Sequence, residues 1–281
     1  MLQAKSNDDC GADPQAVSCV AQGLPDYRNC PRPHDTDGHR LFKHGYEAGM
    51  GPPRLRMKAT AESTVLASDV DPLTLDLFLI YYSILGVGMT ELVEEWVRRA
   101  GERCGQVGLP ELGRLLRMHA GAEANHHLMF IQDTRALAER WKLRGLPPLN
   151  WEDLRAQPLS PGVRRYRKLH EKVIAGSSPF CELAIEYEIE RLSVDLGPRF
   201  LEHCQRVLGP TILAGLSFLK EHVALDVGHT DFNEEQMVNL LDRRPECVSE
   251  LLVAGGEALD SYAAFVQDCY GLAVAEAVKT R

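Results

Sequence analysis

Two segments of this 281-residue chain carry the same polar pattern among apolar residues that recur with helical spacing. The two patterns are His119-x-x-x-Glu123-x-x-His126 and His222-x-x-x-Asp226-x-x-His229. On an α-helix, positions i, i+4 and i+7 lie within roughly 60° of one another, so each triplet forms one polar ridge. Leu, Met, Ala and Val residues flank both ridges, which predicts that the ridges face the interior. Because buried carboxylates and imidazoles are costly unless they are paired or bind metal, the fold must bring these helices together.

Helical periodicity governs the chain from Asp71 onward. The predicted helices, by residue number, are 71–100, 110–143, 161–175, 179–196, 210–242 and 245–278. Asp71-Pro72 suits a helix start, Gly101 a helix end, and Gly197-Pro198 a break. A Pro-rich connection covers 147–160. No alternating apolar and polar run is bounded by turn residues, so the predicted fold is all-α.

The first 70 residues differ from the rest of the chain. Pro, Gly, Asp and Asn recur there, and the periodicity is poor. We therefore predict an irregular N-terminal arm over 1–70, without a core of its own, and one helical metal-binding domain over 71–281.

Charge and composition exclude several classes of function. The net charge is -9 and the chain has no long basic run, so nucleic acid and anionic membranes are not expected partners. No apolar stretch approaches the roughly 20 residues of a membrane span, and no secretory signal is recognised. The eight cysteines form no Cys-x-x-Cys pair, which disfavours zinc ribbons. We expect a cytoplasmic protein with free thiols.

The two ridges predict a two-metal carboxylate site if two further helices each supply one inward carboxylate. On the first helix Glu91 fits, since Ile84, Val87 and Gly88 share its side. On the helix after residue 179, a helical wheel places Glu186 inward, with Glu182 close behind, and places Glu188 on the solvent face.

The two ridge histidines that precede the carboxylates have different expected roles. We expect His119 to hydrogen-bond a ligand carboxylate from behind, whereas the ridge geometry leaves His222 open as either a ligand or such a partner. Oxygen and imidazole donors without thiolate favour iron, or manganese, over structural zinc. No catalytic residue beyond the ligands is predicted.

The order of these residues resembles that of the haem-oxygenase-like diiron oxidases and oxygenases, over about residues 71–275. Members of that family carry a lone Glu, then Glu-x-x-His, a second lone Glu, and His-x-x-x-Asp-x-x-His. The resemblance assigns these positions to Glu91, to Glu123 with His126, to Glu186 or Glu182, and to His222, Asp226 and His229. It therefore makes His222 an expected ligand. The interval from 186 to 222 is slightly longer than in that pattern, which indicates an insertion near 197–210.

The resemblance implies a haem-oxygenase-like helical bundle that holds two Fe ions and reacts with O2 in specialised metabolism. Its implied substrates are small amines, amino-acid-like molecules or fatty acids, and its implied reactions are desaturation, N-oxygenation and oxidative C–C cleavage. The expected partners are that substrate and O2. An electron donor and a homodimer are open expectations.

Two other functions compete with this hypothesis. A ferritin-like diiron N-oxygenase or iron-handling protein would use similar ligands, although iron storage predicts a compact four-helix chain. A non-enzymatic helical binding module with a buried polar network would bind no metal.

Overall fold

The structure is a computed structural model, and it describes residues 36–281. The α-helices of this part are α1 Asp37–Leu41, α2 Gly51–Glu62, α3 Pro72–Thr90, α4 Val93–Gln106, α5 Pro110–Ala122, α6 His127–Leu143, α7 Trp151–Arg155, α8 Pro161–Ala175, α9 Glu182–Leu208, α10 Ser217–Arg243 and α11 Val248–Thr280. A π-helix, Phe42–Glu47, continues α1, and single 3-10 segments precede α9, α10 and α11. The described residues contain no strand, so the all-α prediction is confirmed.

Side-chain caps fix the starts of two core helices where the sequence predicts them. The Asp71 carboxylate accepts a hydrogen bond from the backbone N–H of Thr74, and Pro72 occupies the first turn of α3. The Ser160 hydroxyl accepts from the backbone N–H of Val163 at the start of α8. Each cap satisfies a backbone donor that has no partner within the helix.

Two of the predicted helices are each divided in two. The predicted helix 71–100 breaks at Glu91 and Leu92, between α3 and α4. Gly101 lies inside α4 and ends no helix. A Cβ at Gly101 would lie 2.8 Å from the carbonyl oxygen of Gly113 in α5, so these glycines allow the two helices to pack closely. The predicted helix 110–143 breaks at residues 123–126, between α5 and α6.

Gly197-Pro198 does not break the chain, contrary to the prediction. α9 continues through Pro198 to Leu208. Proline removes one backbone hydrogen bond from a helix interior, but packing along the whole helix can outweigh that loss. Leu192, Leu196 and Phe200 on either side of the proline all pack against the core.

The prediction of an irregular arm is wrong for residues 37–62, which are helical and belong to the same core. Phe42, Tyr46 and Met50 follow one another at four-residue intervals and are fully buried. That spacing places them on one helix face, but the flanking Gly and Pro residues conceal the pattern in the sequence. Residues 1–35 of the predicted arm lie outside the described residues.

The most apolar segment of the chain is a core helix of this bundle. Within 72–106 it contains a window of mean hydropathy 1.5, which would suit a membrane span by length and composition. However, 78% of that window is buried inside the fold. α3 lies against α6, α8, α9 and α11, and it therefore forms one wall of the interior that contains the polar ridges.

Candidate metal centre

Donor side chains from α5, the α5–α6 turn, α9 and α10 meet in the interior of the bundle. We call them the metal-site cluster: His119, Glu123, His126, Glu190, His222, Asp226 and His229. Each of these residues is buried, with at most 9% of its surface exposed. Both predicted ridges therefore point into the same space, as the sequence indicated.

The metal-site cluster contains two donor groups that share Glu123. One group is His119, Glu123, Glu190 and His229, and the other is Glu123, His126 and His222. Within each group, one donor atom per residue lies within 4.8 Å of the others. Oε1 of Glu123 is 3.1 Å from Nδ1 of His229, and Oε2 is 2.9 Å from Nδ1 of His126. A carboxylate in this position can bridge two metal ions.

Glu123 and His126 lie on a turn rather than on the continuous helix that the sequence predicted. Residues 123–126 separate α5 from α6, and Asn125 has a φ of 67°. Asn is among the residues that tolerate this left-handed conformation best. The turn places both donors on the interior side, which three-residue spacing on a helix would also have done.

The orientation of His222 is fixed by the start of α10. Asp133 of α6 accepts hydrogen bonds from the backbone N–H groups of Ser217 and Phe218, at 2.7 and 2.9 Å. The Nδ1–H of His222 donates to the Phe218 carbonyl at 2.8 Å. Its Nε2 then faces Nδ1 of His126 at 3.1 Å. A histidine held from behind in this way presents its free nitrogen to a metal.

α9 contributes Glu190, which the sequence interpretation missed. Nε2 of His119 is 3.2 Å from Oε1 of Glu190, and the Asn233 amide donates to Oε2 at 2.8 Å. His119, predicted to stand behind a ligand, thus belongs to a donor group itself. Glu190 follows Glu186 at a four-residue interval, and this spacing was the signal available in the sequence.

The two glutamates predicted for this helix lie one and two turns earlier. Glu182 and Glu186 are buried. Both form a third donor group with His170 of α8 and belong to neither of the two groups that contain Glu123. Glu186 nevertheless lines the same cavity as Glu123 and Asp226.

Glu91 does not reach the metal-site cluster, contrary to the prediction. It caps the end of α3 with 41% of its side chain exposed, and it forms an ion pair with Arg167. Glu91 keeps a helical φ of -62° and donates its N–H to the Val87 carbonyl, so it continues the face of Gly88. That face packs on α8, where Arg167 contacts both Gly88 and Glu91, and it does not point at the metal-site cluster.

The predicted solvent exposure of Glu188 is also wrong, since it is 1% exposed. Tyr46 donates to one of its oxygens at 2.9 Å, and Nε of Arg54 donates to the other at 2.8 Å. Both partners belong to residues 37–62, which cover this side of α9. The helical wheel assigned that side to solvent because the covering segment was predicted to be irregular.

The pKa values in and beside the metal-site cluster are shifted by burial and by the closely packed carboxylates and imidazoles. Burial lowers the pKa of His229, but the nearby carboxylates of Asp226, Glu123 and Glu190 raise it to about 11. Burial raises the pKa of Glu123, yet the adjacent imidazoles of His126 and His229 hold that pKa well below its usual value. Burial and the neighbouring Glu182 and Glu190 carboxylates raise the pKa of Glu186. The site therefore attracts positive charge.

Many polar atoms of the metal-site cluster lack hydrogen-bond partners although they are buried. They are both ring nitrogens of His119, Oε1 of Glu123, Nε2 of His126, Oε1 of Glu190, Oδ1 of Asp226 and Nδ1 of His229. Several lie within 4 Å of one another without the geometry of a hydrogen bond. Native proteins leave few such atoms, and each costs free energy. Nitrogen and carboxylate donors without thiolate fit a first-row metal ion.

Two adjoining cavities reach this region of the structure. The first, of about 70 Å³, is lined by Glu123, Glu186, Glu190, His222 and Asp226 together with aromatic residues. The second is mainly apolar and shares Tyr82, Ser193 and Tyr262 with the first. The two tyrosine hydroxyls are 2.7 Å apart, at the junction of the cavities.

Comparisons with known proteins identify the fold. No family model and no curated protein matches the chain. A domain of unknown function with a haem oxygenase-like fold, from Shewanella denitrificans, matches with a TM-score of 0.63 and 16% identity, over 79% of this chain and 90% of that one. A TenA homologue from Pseudomonas syringae pv. tomato matches with a TM-score of 0.58 and 16% identity, over 83% and 93%. The chain has a haem oxygenase-like fold, and its buried His and Glu groups could bind metal.

Proposed function

We propose that this protein is an iron- and O2-dependent oxidase or oxygenase whose metal-site cluster binds two iron ions. The observation that carries the proposal is Glu123, whose two oxygens belong to two different donor groups. One shared carboxylate with histidines on both sides is the arrangement expected of a two-metal carboxylate site. The fold comparison supports a haem-oxygenase-like bundle rather than a ferritin-like one.

The side chains around the cluster have identifiable tasks. Bound iron would supply the one-electron steps needed to reduce dioxygen, a chemistry that amino-acid side chains do not provide. The Asn233 amide holds one oxygen of Glu190 and leaves the other directed at His119. Phe218 stacks on His222 and on Phe130, with ring centroids 3.8 Å apart in both pairs. These rings keep water away from that side of the donors.

The tyrosine pair at the junction of the cavities can donate a hydrogen bond to the substrate. Burial raises the pKa of Tyr82 well above its usual value, and burial also raises the pKa of Tyr262 to about 12. Both hydroxyls therefore keep their protons at neutral pH. One of them can donate a hydrogen bond to a polar group that enters from the apolar cavity.

The apolar cavity favours a substrate with a hydrocarbon part, within the amine, amino-acid-like and fatty-acid classes considered from the sequence. Its walls include Met57, Ala61, Phe78, Leu196 and Phe200. Apolar walls with a few polar groups at one end are typical of small-molecule sites. We propose that the apolar part of the substrate occupies this cavity and that its reactive end points past Tyr82 towards Glu123.

Iron loading tests the proposal. Purified full-length protein is incubated with Fe(II) without oxygen, desalted and assayed for iron, and oxygen consumption is then followed. We expect about two iron ions per chain and prompt oxygen uptake. Glu123→Ala and Asp226→Ala should lose most of both, because each removes a donor from the shared cavity.

Glu91→Ala is the matched control, because this glutamate is exposed and paired with Arg167. It should bind as much iron as the wild type. A wild-type protein that retains no iron would contradict the proposal and would support the non-enzymatic binding module.

Ala61→Leu tests the location of the substrate. Ala61 is 4% exposed and lines the apolar cavity. A larger side chain there should lower kcat/KM by about tenfold for the longest accepted substrate, through steric exclusion worth roughly 1–3 kcal/mol. Bound iron should stay unchanged. Equal loss for short and long substrates would show that the hydrocarbon part lies elsewhere.

A further inference from the structure

We propose that His170, Glu182 and Glu186 form a separate binding site for one divalent cation, adjacent to the metal-site cluster. The three residues come from the C-terminal half of α8 and the first two turns of α9. His170 and Glu182 are completely buried, and Glu186 is 4% exposed. One donor atom of each residue lies within 4.8 Å of the other two, close enough for a single ion.

Each of the three side chains has a buried polar atom without a hydrogen-bond partner. These atoms are Nε2 of His170, Oε2 of Glu182 and Oε1 of Glu186. Nδ1 of His170 lies 2.7 Å from Oε1 of Glu182, and this contact fixes the two groups relative to each other. A structural His–Glu pair would account for that one contact but would leave three buried polar atoms unsatisfied. A bound cation accounts for all of them.

The charges of the site also favour a cation. Glu182 and Glu186 lie on successive turns of α9, where carboxylates at i and i+4 repel each other. In a buried position this repulsion is poorly screened by water. A divalent ion between the two carboxylates removes the repulsion, and the imidazole of His170 supplies a neutral third donor.

The ring of His170 is held rigidly, as metal ligands usually are. The indole of Trp96 stacks on it, with ring centroids 4.2 Å apart and planes inclined by 7°. Tyr166 contacts the imidazole edge-on, at 4.5 Å between centroids. The indole N–H of Trp96 donates to Glu171 at 2.9 Å, which fixes the stack in turn. Two carboxylates and one imidazole suit Mn, Fe, Co or Zn, and three protein ligands leave room for water.

Counting the Co(II) ions bound to the desalted full chain by elemental mass spectrometry tests this site. The wild type should bind about three ions if the metal-site cluster takes two, and His170→Gln should bind about one fewer. Asp226→Ala with His229→Ala disables the metal-site cluster and should leave about one ion, which a further His170→Gln removes.

His203→Gln is the matched control, since His203 is also a buried histidine with an unpartnered Nε2 but lies outside all three donor groups. It should bind as much cobalt as the wild type. Equal cobalt in the wild type and in His170→Gln would overturn this inference and leave the proposed function standing. About one ion in the wild type and none in His170→Gln would establish the new site and overturn the two-metal proposal.

Tryptophan fluorescence gives a second readout that is independent of stoichiometry. The chain has three tryptophans, Trp96, Trp141 and Trp151. In a Trp141→Phe, Trp151→Phe background, Co(II) at the new site should strongly quench Trp96, because the indole stacks directly on the ligand His170. The quenching should disappear with His170→Gln and persist with His203→Gln. Quenching that persists with His170→Gln would contradict the site.

Discussion

Glu188 and Glu190 are two residues apart on α9, and their buried carboxylates belong to two polar clusters of opposite kinds. We call the first the arginine cluster: Glu47, Arg54, Glu188 and Arg191. There two carboxylates face two guanidinium groups, and Tyr46 and Tyr187 donate further hydrogen bonds. In the metal-site cluster, carboxylates face histidines, and none of the described residues that line its cavity is Lys or Arg.

The difference shows which property indicates a ligand site. Glu188 and Glu190 are both buried carboxylates, 1% and 5% exposed, so neither burial nor acidity of these two residues separates the clusters. Both oxygens of Glu188 accept hydrogen bonds, from Tyr46 and Arg54, whereas Oε1 of Glu190 and Oδ1 of Asp226 have no partner. A polar network in which every group has a hydrogen-bond partner stabilises the fold, whereas buried carboxylate oxygens without a partner favour a bound cation.

Breaking the arginine cluster should have the largest effect on stability. Glu188→Ala removes the more buried of the two carboxylates that contact Arg54 and leaves Glu47 as its remaining partner. Loss of one partner of a buried ion pair costs about 3–5 kcal/mol, and because Glu47 still pairs with Arg54 we expect a loss near the lower end, about 3 kcal/mol. Urea unfolding of the metal-free protein measures this change. Asp195→Ala on the same helix breaks an exposed pair with Arg191 and should cost at most about 1 kcal/mol. Similar losses for the two variants would show that Glu188 is not a key ion-pair residue.

Breaking the metal-site cluster should instead act through the metal. Glu123→Ala removes one of several crowded carboxylates, so the metal-free protein should lose little stability. The stabilisation by added iron should disappear, and it amounts to about 2.7 kcal/mol when free metal is a hundred times its Kd. Differential scanning fluorimetry with and without Fe(II) under nitrogen measures it. Glu91→Ala should keep the full metal-dependent shift, and a shift that survives Glu123→Ala would contradict the role of Glu123.

Loosening the start of α10 should have a smaller effect that is confined to one cluster. Asp133→Ala frees the backbone N–H groups of Ser217 and Phe218 and should cost about 1–2 kcal/mol, as loss of a helix cap does. Hydrogen exchange should accelerate in the first turn of α10, and iron affinity should fall because His222 depends on the Phe218 carbonyl. Ser217→Ala removes only the hydroxyl contact with Asp133 and is the milder control. Unchanged exchange in that turn would contradict this description of the cap.

Lowering the pH should reduce the stability contributed by the arginine cluster, and this effect should be the smallest of those predicted here. Burial raises the pKa of Glu47, but Arg54 and Arg191 outweigh burial and lower the pKa below 4.5. A carboxyl group whose pKa is lowered by folding contributes stability above its unfolded pKa, and that contribution is lost as pH falls through the folded value. Thermal unfolding between pH 6 and 3 should show this loss. Glu47→Gln should have a flatter pH dependence over that range, and identical curves for both proteins would contradict the assignment.

The sequence was sufficient where local periodicity determines structure. The helical fold was predicted correctly, and six of the seven predicted ligands lie as buried donors in one region. Helix period places His222, Asp226 and His229 on one side of α10, whereas a turn brings Glu123 and His126 to the side that a continuous helix would have given them. Two errors came from contacts that are distant in sequence. Glu188 was assigned to solvent because nothing in α9 indicates that Tyr46 and Arg54 cover it. Glu190 was overlooked in the same acidic run, since its partners His119 and Asn233 lie 71 and 43 residues away.

Two further errors lie close to helix ends. Glu91, just after the end of α3, was assigned to a face directed at the metal site, but the face that it shares with Gly88 packs on Arg167 of α8. The break at 123–126 was not predicted, because Ala124 and Asn125 are not strong helix breakers. A helix end depends on small local energy differences that neighbouring packing can reverse, so boundaries are harder to predict than the helices themselves.

The turn between α5 and α6 makes the positions of Glu123 and His126 depend on how these two helices pack. α5 is locked against α4 where Gly101 and Gly113 touch, and α6 is locked against α3 where Phe130 packs on Gly86. Each helix is thus held at a point away from the turn, and Glu123 and His126 lie where the two helices meet. A change of a few degrees in the angle between them alters the separation of the two donor groups. Substitutions at Gly101, Gly113 or Gly86 that displace either helix would therefore move Glu123 and His126, although these glycines contact neither residue.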